Sequence, residues 1–474
     1  MTNIDLIVYT EHMYTLEGDG LGYRNGYALA IDRGKILAVA PRKEIEGAYK
    51  AETVIDNPRL LALPGFIDAH MHTGHGVYRG VAQDIGNWMM DGISPFSQSS
   101  TPEAHVAGSK LAIAEAILNG TTTIGDDGRR MEGALNFIDQ VGVRGNVSIR
   151  IRNAIERIYK PGELYEFSEA MAEETLDEFT AMHDKFDGRD GGRIRIRIGP
   201  QGADFVCPDT LEKVYKLAKD RNTKMHIHLS QGSRETKQMV GRYGERTIAY
   251  MSKKGYLDSN LIGIHLTDAT PEEAAFVAST GASMVLCSAS IGIIDGIVPP
   301  ARFFKQAGGN VGLGSDQAPG NNCHNIFNEM RLTAMFNKIM TEDPETMPAW
   351  MVLRMATIEG AKALGIDQVT GSLEAGKAAD LILVDLDEPA LMPTITTPMR
   401  TFVPNLVYAA KGSEVDTVVA AGNILVRDRK PVTFDLPAIR AEVQAHVDEI
   451  GAKAADIFWE INGKNAQFMK EDKL

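Results

Sequence analysis

The sequence predicts an α/β protein: a (β/α)8 barrel of the TIM type, with a small β-sandwich domain formed by both chain ends. Three observations predict it. Between about residues 64 and 369, eight short apolar runs each end in a polar cluster, and helical stretches lie between several of them. The residues able to do chemistry stand at the carboxyl ends of those runs. Helix-poor, β-rich segments flank this region on both sides.

The eight runs are LLALPGFIDAHMH, TTTIGDD, NVSIRIRNA, GRIRIRIGPQ, KMHIHLSQ, LIGIHLTDA, ASMVLCSAS and NVGLGSDQ. Helical patterns between them include PEAHVAGSKLAIAEAILNG, PDTLEKVYKLAKD, TPEEAAFVASTG and PPARFFKQAGG. Strands alternating with helices suit a closed parallel barrel. The competing doubly wound sheet lacks its signature, because no GxGxxG follows the first run. In residues 1–63, IDLIVYT, YALAIDRGKILAVA and ETVIDNP read as strands, with a hairpin turn at Asp32-Arg33-Gly34-Lys35. KAADLILVDLD, NLVYAAKG and VDTVVAAGNILVRDRKP give residues 370–430 the same character. The two segments are expected to pair into one domain, with two separate appendages as the alternative. Residues 431–474, rich in Ala, Glu and Lys, read as one or two surface helices with a place against a neighbouring subunit.

Charge and cysteine usage narrow the function. A formal net charge of -14 without a Lys/Arg-rich run speaks against a nucleic-acid partner, which needs a positive face. Cys207, Cys287 and Cys323 form neither a CxxC pair nor a disulfide pattern, so a reducing cytoplasm is expected. No secretory signal is recognisable, and no apolar run approaches the ~20 residues that span a membrane.

His70 and His72 end the first run; on a strand, i and i+2 share a face, so both imidazoles can approach one ion. His228 ends the fifth run, His265 the sixth and Asp316 the eighth. In a barrel those ends converge. His70, His72, His228 and Asp316, with an open position for water, describe a catalytic site; structural zinc sites are closed. One divalent metal is expected, zinc first, with iron, manganese or cobalt as alternatives. A divalent ion brings the pKa of water toward ~7, so a hydrolase is the implied class.

PGFIDAHMH, MHIHLSQ, GIHLTDA and GLGSDQAPGNNCHNIFNEM resemble the aminohydrolase/chlorohydrolase branch of the amidohydrolase superfamily. That branch holds triazine hydrolases, guanine and S-adenosylhomocysteine deaminases, and phenylurea and molinate hydrolases. ATIEGAKALG and GSLEAGKAADLILVDLD match the segments leaving the family's barrel. The resemblance implies that His70, His72, His228 and Asp316 bind the metal. It implies that His265 hydrogen-bonds the attacking water or the substrate, and that Asp316 also orients or deprotonates the water. It further implies a small-molecule substrate and a homodimer or higher homo-oligomer.

The chain departs from the deaminase pattern at one position of chemical weight. A Glu three residues after the fifth-strand histidine carries a proton to the ring; here it is Gln231. An amide is no general acid or base at neutral pH. Gln231 can position water or substrate only, and Glu235 is the nearest acid in sequence. Cleavage of a urea, amide or carbamate C–N bond is therefore expected. Ring deamination or dechlorination of a purine, pterin or triazine is the alternative, and a catalytically dead metal-binding scaffold is the second. A further departure is Ser288-Ala289-Ser290-Ile291-Gly292, where the family has Ser-Asn; Leu266 replaces a commoner small residue.

Other residues bear on substrate. Arg150, Arg152, Arg195 and Arg197 alternate with Ile on the third and fourth strands. Pairing with acids of the outer helices is the plainer reading for them. Arg152 and Arg197, nearest the strand ends, are the candidates for substrate oxygen. Trp88, with Met89 and Met90, is expected to wall the pocket or to pack in the core. Asn321, Asn322 and Glu329 brace the loop after the eighth strand, with Asn322 the candidate for substrate contact. His75, His226 and His324 lie near the motifs, His226 in support of His228.

Overall fold

The apolar runs are strands of one eight-stranded parallel sheet: Phe66–Met71, Thr121–Gly128, Arg144–Ile151, Ile194–Pro200, Met225–Leu229, Leu261–His265, Ser283–Leu286 and Asn310–Leu313. This computed structural model describes residues 1–157, 159 and 162–474. The strands pair in sequence order, and a parallel bridge between Met71 and Asp316 joins the last run to the first. Closure demands a glycine: a Cβ on Gly314 would stand 2.8 Å from the His70 Cβ. The barrel is the one expected from the sequence.

Alternation decides what each strand offers. Ile194, Ile196 and Ile198 of the fourth strand join the buried cluster that holds Phe179 and Phe186 of the helix Glu169–Phe186. Arg195, Arg197 and Gly199 therefore face the barrel interior. The outer helices start on recognisable caps. Thr101 accepts from the Ala104 amide ahead of Pro102–Leu118, and Thr270 with Glu273 forms a capping box ahead of Pro271–Ser279.

Both chain ends build two further sheets. One has four strands, Thr2–Tyr9, Tyr27–Asp32, Lys35–Pro41 and Tyr49–Asp56. The other has seven, including Leu60–Pro64 paired antiparallel with Leu381–Asp385 from the far end of the chain. Leu6, Val8, Leu29 and Ile31 of the first sheet share a buried cluster with Ala62, Leu381, Leu383 and Val419 of the second. The turn at Arg33 and Gly34 takes φ 46° and 77°, the left-handed pair that a two-residue hairpin requires.

One expectation is corrected. NLVYAAKG is no strand: Phe402–Tyr408 is a helix burying Phe402, Val403, Leu406 and Val407, a spacing that fits helical and not alternating burial. The tail forms the helices Leu436–Ile461 and Lys464–Lys470, and one apolar face of the first packs on its own barrel. Val443 and Ile450 join Val77, Tyr78, Ala104 and Ala107, and Lys110 pairs with Glu442 at 2.8 Å. Among the described residues, no helix is long and apolar enough to cross a membrane.

Barrel and flanking sheet are joined by a buried ion pair. Arg144, on the third strand, donates from Nε to Asp380 Oδ2 at 2.7 Å and from Nη2 to Oδ1 at 3.2 Å. The Ala421 amide also donates to Asp380. Removing one member of such a pair leaves the other charge buried and unpaired. Arg144→Met is expected to lower stability by about 3–5 kcal/mol, read as a fall in the denaturation midpoint; an unchanged midpoint contradicts it.

Candidate metal centre

Four strand ends deliver the site, and the backbone is bent to do so. His265 takes φ 74° and Asp316 φ 60°, left-handed conformations that side chains other than glycine adopt at a cost. Two hydrogen bonds hold the Asp316 turn: its amide donates to His70 O at 2.9 Å, and the His72 amide donates to Asp316 O at 2.8 Å. Ligand atoms of His70, His72 and His228 lie within 4.8 Å of one another, as do those of His70, His265 and Asp316. All five side chains are buried.

The orientation of the imidazoles tests whether a cation fits. His72 Nδ1 faces Asp127 O at 2.8 Å, and His228 Nδ1 faces Gln201 O at 2.7 Å. A carbonyl only accepts, so both Nδ1 atoms carry hydrogen and both Nε2 atoms present lone pairs. These Nε2 atoms stand 3.4 Å apart. His70 Nδ1 meets His226 Nε2 at 3.0 Å, while His70 Nε2 has no hydrogen-bond partner among the described residues. Asp316 Oδ1 completes the ring, 3.5 Å from His70 Nε2 and 3.4 Å from His72 Nε2. Three lone pairs and a carboxylate oxygen converging in a buried space repel one another unless a positive ion stands between them. The donor set suits one divalent metal.

Protonation cannot replace the ion. Burial first, then the neighbouring imidazole of His70, pushes His72 and His228 well below the usual histidine range. Burial works against an ionised Asp316, yet the imidazoles of His70, His265 and His72 around it hold its carboxyl well below the usual carboxylate range. His265 is drawn down to about 4, chiefly by burial, so it is neutral at pH 7. Neither of its ring nitrogens has a partner among the described residues.

Sequence reasoning missed the supporting shell. Asp127 receives Arg150 Nη2 at 2.6 Å and Nε at 2.9 Å and lies 3.6 Å from His226 Nδ1. Arg150 Nη2 also comes within 2.9 Å of His72 Nδ1, but both are donors, so the binding partner is the carboxylate. Arg150 thus pairs inside the barrel, which corrects the expectation of an acid on the outer helices. Asp126 accepts from the Thr73 amide, and Asp68 from the Ser315 amide and hydroxyl. Ser290 Oγ donates to Asp316 Oδ2 at 2.6 Å, which gives the departure at Ser288–Gly292 a chemical use. The signal was present in Asp126-Asp127, consecutive acids at the end of an apolar strand.

Of the candidate substrate residues, some lie at the site's rim and others elsewhere. Arg152 reaches Ala154 O at 2.9 Å and Gln201 Oε1 at 3.2 Å, beside the carbonyl that holds His228, and stacks over Phe205. Arg197 is a correction. It is followed by three strand residues, so it sits roughly 10 Å below the carboxyl rim, and its guanidinium donates to Asn146 O, towards the opposite end of the barrel. Arg195 pairs with Asp187, just after the helix Glu169–Phe186, as the plainer reading expects. Trp88 packs on the cluster shared with the tail helix. Asn322 is the exposed left-handed end of the short helix Ala318–Asn321, while Asn321 and the buried Glu329 bind each other at 2.7 Å. His75 meets Gln317 Oε1, and His324 meets Ser315 Oγ.

Glu235 proves to be a brace. Fully buried, it accepts from the Ser230 amide at 3.0 Å, the Gln231 amide at 2.7 Å and Thr247 Oγ1 at 2.6 Å. It thereby fixes the backbone that follows His228. Burial raises its carboxyl to about 7.

The amidohydrolase family matches residues 61–425. The 5-methylthioadenosine/S-adenosylhomocysteine deaminase of Moorella thermoacetica is 33% identical over 417 residues, covering 88% of this chain and 93% of the relative. Its namesake from Nitratidesulfovibrio vulgaris is 32% identical over 443 residues, covering 92% and 94%. An adenosine deaminase from Xanthomonas campestris with bound zinc superposes with a TM-score of 0.86 at 27% identity, covering 95% of this chain and 99% of that one. The atrazine chlorohydrolase of Arthrobacter aurescens complexed with zinc shares the fold, with a TM-score of 0.83 at 21% identity over 93% and 100% of the two chains.

Bracing and chemistry separate by mutation. Glu235→Ala orphans two buried amides and a hydroxyl, and is expected to cost about 1–3 kcal/mol or more. Gln231→Ala is expected to stay within about 0.5 kcal/mol of wild type. Thermal melts of the zinc-loaded chain check the order; the reverse order contradicts it.

Proposed function

Because the chain belongs to the amidohydrolase family and is a metal-dependent hydrolase of C–N bonds, we propose that it cleaves a small urea-, amide- or carbamate-like molecule, with zinc held by His70, His72, His228 and Asp316. The observation that carries this reading is Gln231, which stands where ring deamination places its proton-carrying Glu, while the acid nearest in sequence is occupied by three donors. When bound, the metal supplies Lewis acidity and brings water into the hydroxide range near neutral pH.

The chain's own residues do the rest. Asp316, kept ionised by its imidazole neighbours and aligned by Ser290, takes the proton from the attacking water. Neutral His265 donates a hydrogen bond to the substrate carbonyl oxygen, where negative charge grows. Oxygen adds to the carbonyl carbon, the C–N bond breaks, and the proton held on Asp316 passes to the leaving nitrogen. Gln231 orients the substrate through its amide without exchanging protons. Arg152, at the rim, meets substrate oxygen. A substrate with a carbamoyl carbon needs no ring protonation, so the absent Glu costs it nothing. In this reading the partners are small molecules, and the expectation of a homo-oligomer rests on the family resemblance.

Ring deamination is the second reading, favoured by the names of the relatives at about one-third identity and by one feature of the site. Glu235, raised to about 7, is poised to exchange protons at neutral pH if its hydrogen bonds open.

A hydrolysis screen of zinc-loaded wild type and Gln231→Glu decides between them, with aryl ureas, carbamates, thiocarbamates, aminopurines and aminotriazines as substrates and products identified by mass. Amine and CO2 release from a urea or carbamate, reduced about tenfold or more in Gln231→Glu, is the expected result. Ammonia from aminopurines with wild type contradicts it. No turnover of any class contradicts catalysis itself.

A further inference from the structure

At the end of the barrel opposite the histidines lies a cavity of about 210 Å3 whose lining carries three cations and no carboxylate. Its walls come from strand beginnings and the segments before them. Asn146 and Arg197 lie on the third and fourth strands, Asn222 and Lys224 precede the fifth, and Asn260 precedes the sixth. Arg195 stands at the mouth, partly exposed and paired with Asp187 at 2.9 Å. Asp258 and Asp367 act on Lys224 at longer range and lie outside the lining.

The unusual group is Arg197. Its side chain is among the largest fully buried in the molecule, yet only Nη2 is satisfied, by Asn146 O; Nε and Nη1 have no hydrogen-bond partner among the described residues. A buried guanidinium without a counter-charge is costly. Asp126 and Asp127 attract it only from a distance, and Asp127 already pairs with Arg150. Burial brings Arg197 down to about 9, and burial followed by Arg197 lowers Lys224. The two cations repel across a space that water alone does not neutralise.

We propose that this cavity is a binding site for a small oxyanion of the phosphate class, held by Arg197 and Lys224 and closing the base of the barrel. Arg197 reaches the space from the fourth strand and Lys224, whose Nζ also donates to Ser259 O at 2.9 Å, from the segment before the fifth; cations on separate elements suit an ion bearing acceptors on all sides better than a planar carboxylate. The site lies apart from the metal centre, so its ligand stabilises or regulates the chain without entering the reaction.

The test uses the full zinc-loaded chain, titrated with sodium phosphate against sodium chloride at equal pH and ionic strength, and followed by thermal melts and calorimetry. Acetate serves as the planar arm. A saturable rise in Tm with phosphate is expected, together with affinity about tenfold weaker or worse in Arg197→Met and in Lys224→Met. Lys224 lies at the rim and outside the catalytic machinery, so Lys224→Met is expected to keep the wild-type kcat/KM and to report even where Arg197→Met fails to fold. Absence of a saturable rise in wild type overturns the proposal. So does a rise that survives unchanged in Lys224→Met, which would put the ion at the metal centre. Acetate binding as tightly as phosphate overturns the assignment of ligand class.

Discussion

Everything at the carboxyl end of this barrel depends on one electrostatic constraint: lone pairs and a carboxylate oxygen are aimed at one another in a buried space. His72 and His228 have their Nδ1 hydrogens committed to backbone carbonyls, so their Nε2 lone pairs face inward 3.4 Å apart. Asp316 adds a formal negative charge beside them. Burial keeps the imidazoles of His72 and His228 neutral, so protons cannot relieve the repulsion. A divalent ion relieves it, and in doing so uses each strained and buried feature around it.

The strain has the same origin. His265 and Asp316 turn their side chains inward only because their backbones adopt positive φ. Hydrogen bonds between Asp316 and the carboxyl end of the first strand hold that shape, and Gly314 lets the two strands approach. Behind the ligands, the half-buried Arg150 and the buried Asp127 form a pair against His72 and His226. Such outer partners orient the ligands that touch the metal.

Much of this was legible in the sequence, and the gaps have physical causes. All eight strands stood out because both faces of a barrel strand are covered, so apolar runs end abruptly where chemistry begins. His70, His72, His228, His265 and Asp316 could be assigned to one face from topology alone. NLVYAAKG misled because a short apolar run fits a buried strand or a buried helix equally well. Arg197 misled because alternation gives a side chain's face but not its depth. Glu235 looked like a spare proton carrier in sequence; its three donors come from a turn and from Thr247, twelve residues away, which spacing does not reveal.

The most direct measurement of the central claim is anomalous diffraction at the zinc edge from crystals of the zinc-loaded chain. The account predicts one peak within about 2.0–2.2 Å of His70 Nε2, His72 Nε2, His228 Nε2 and Asp316 Oδ1. A peak bound by other residues, or a second peak of equal height in the barrel, contradicts it.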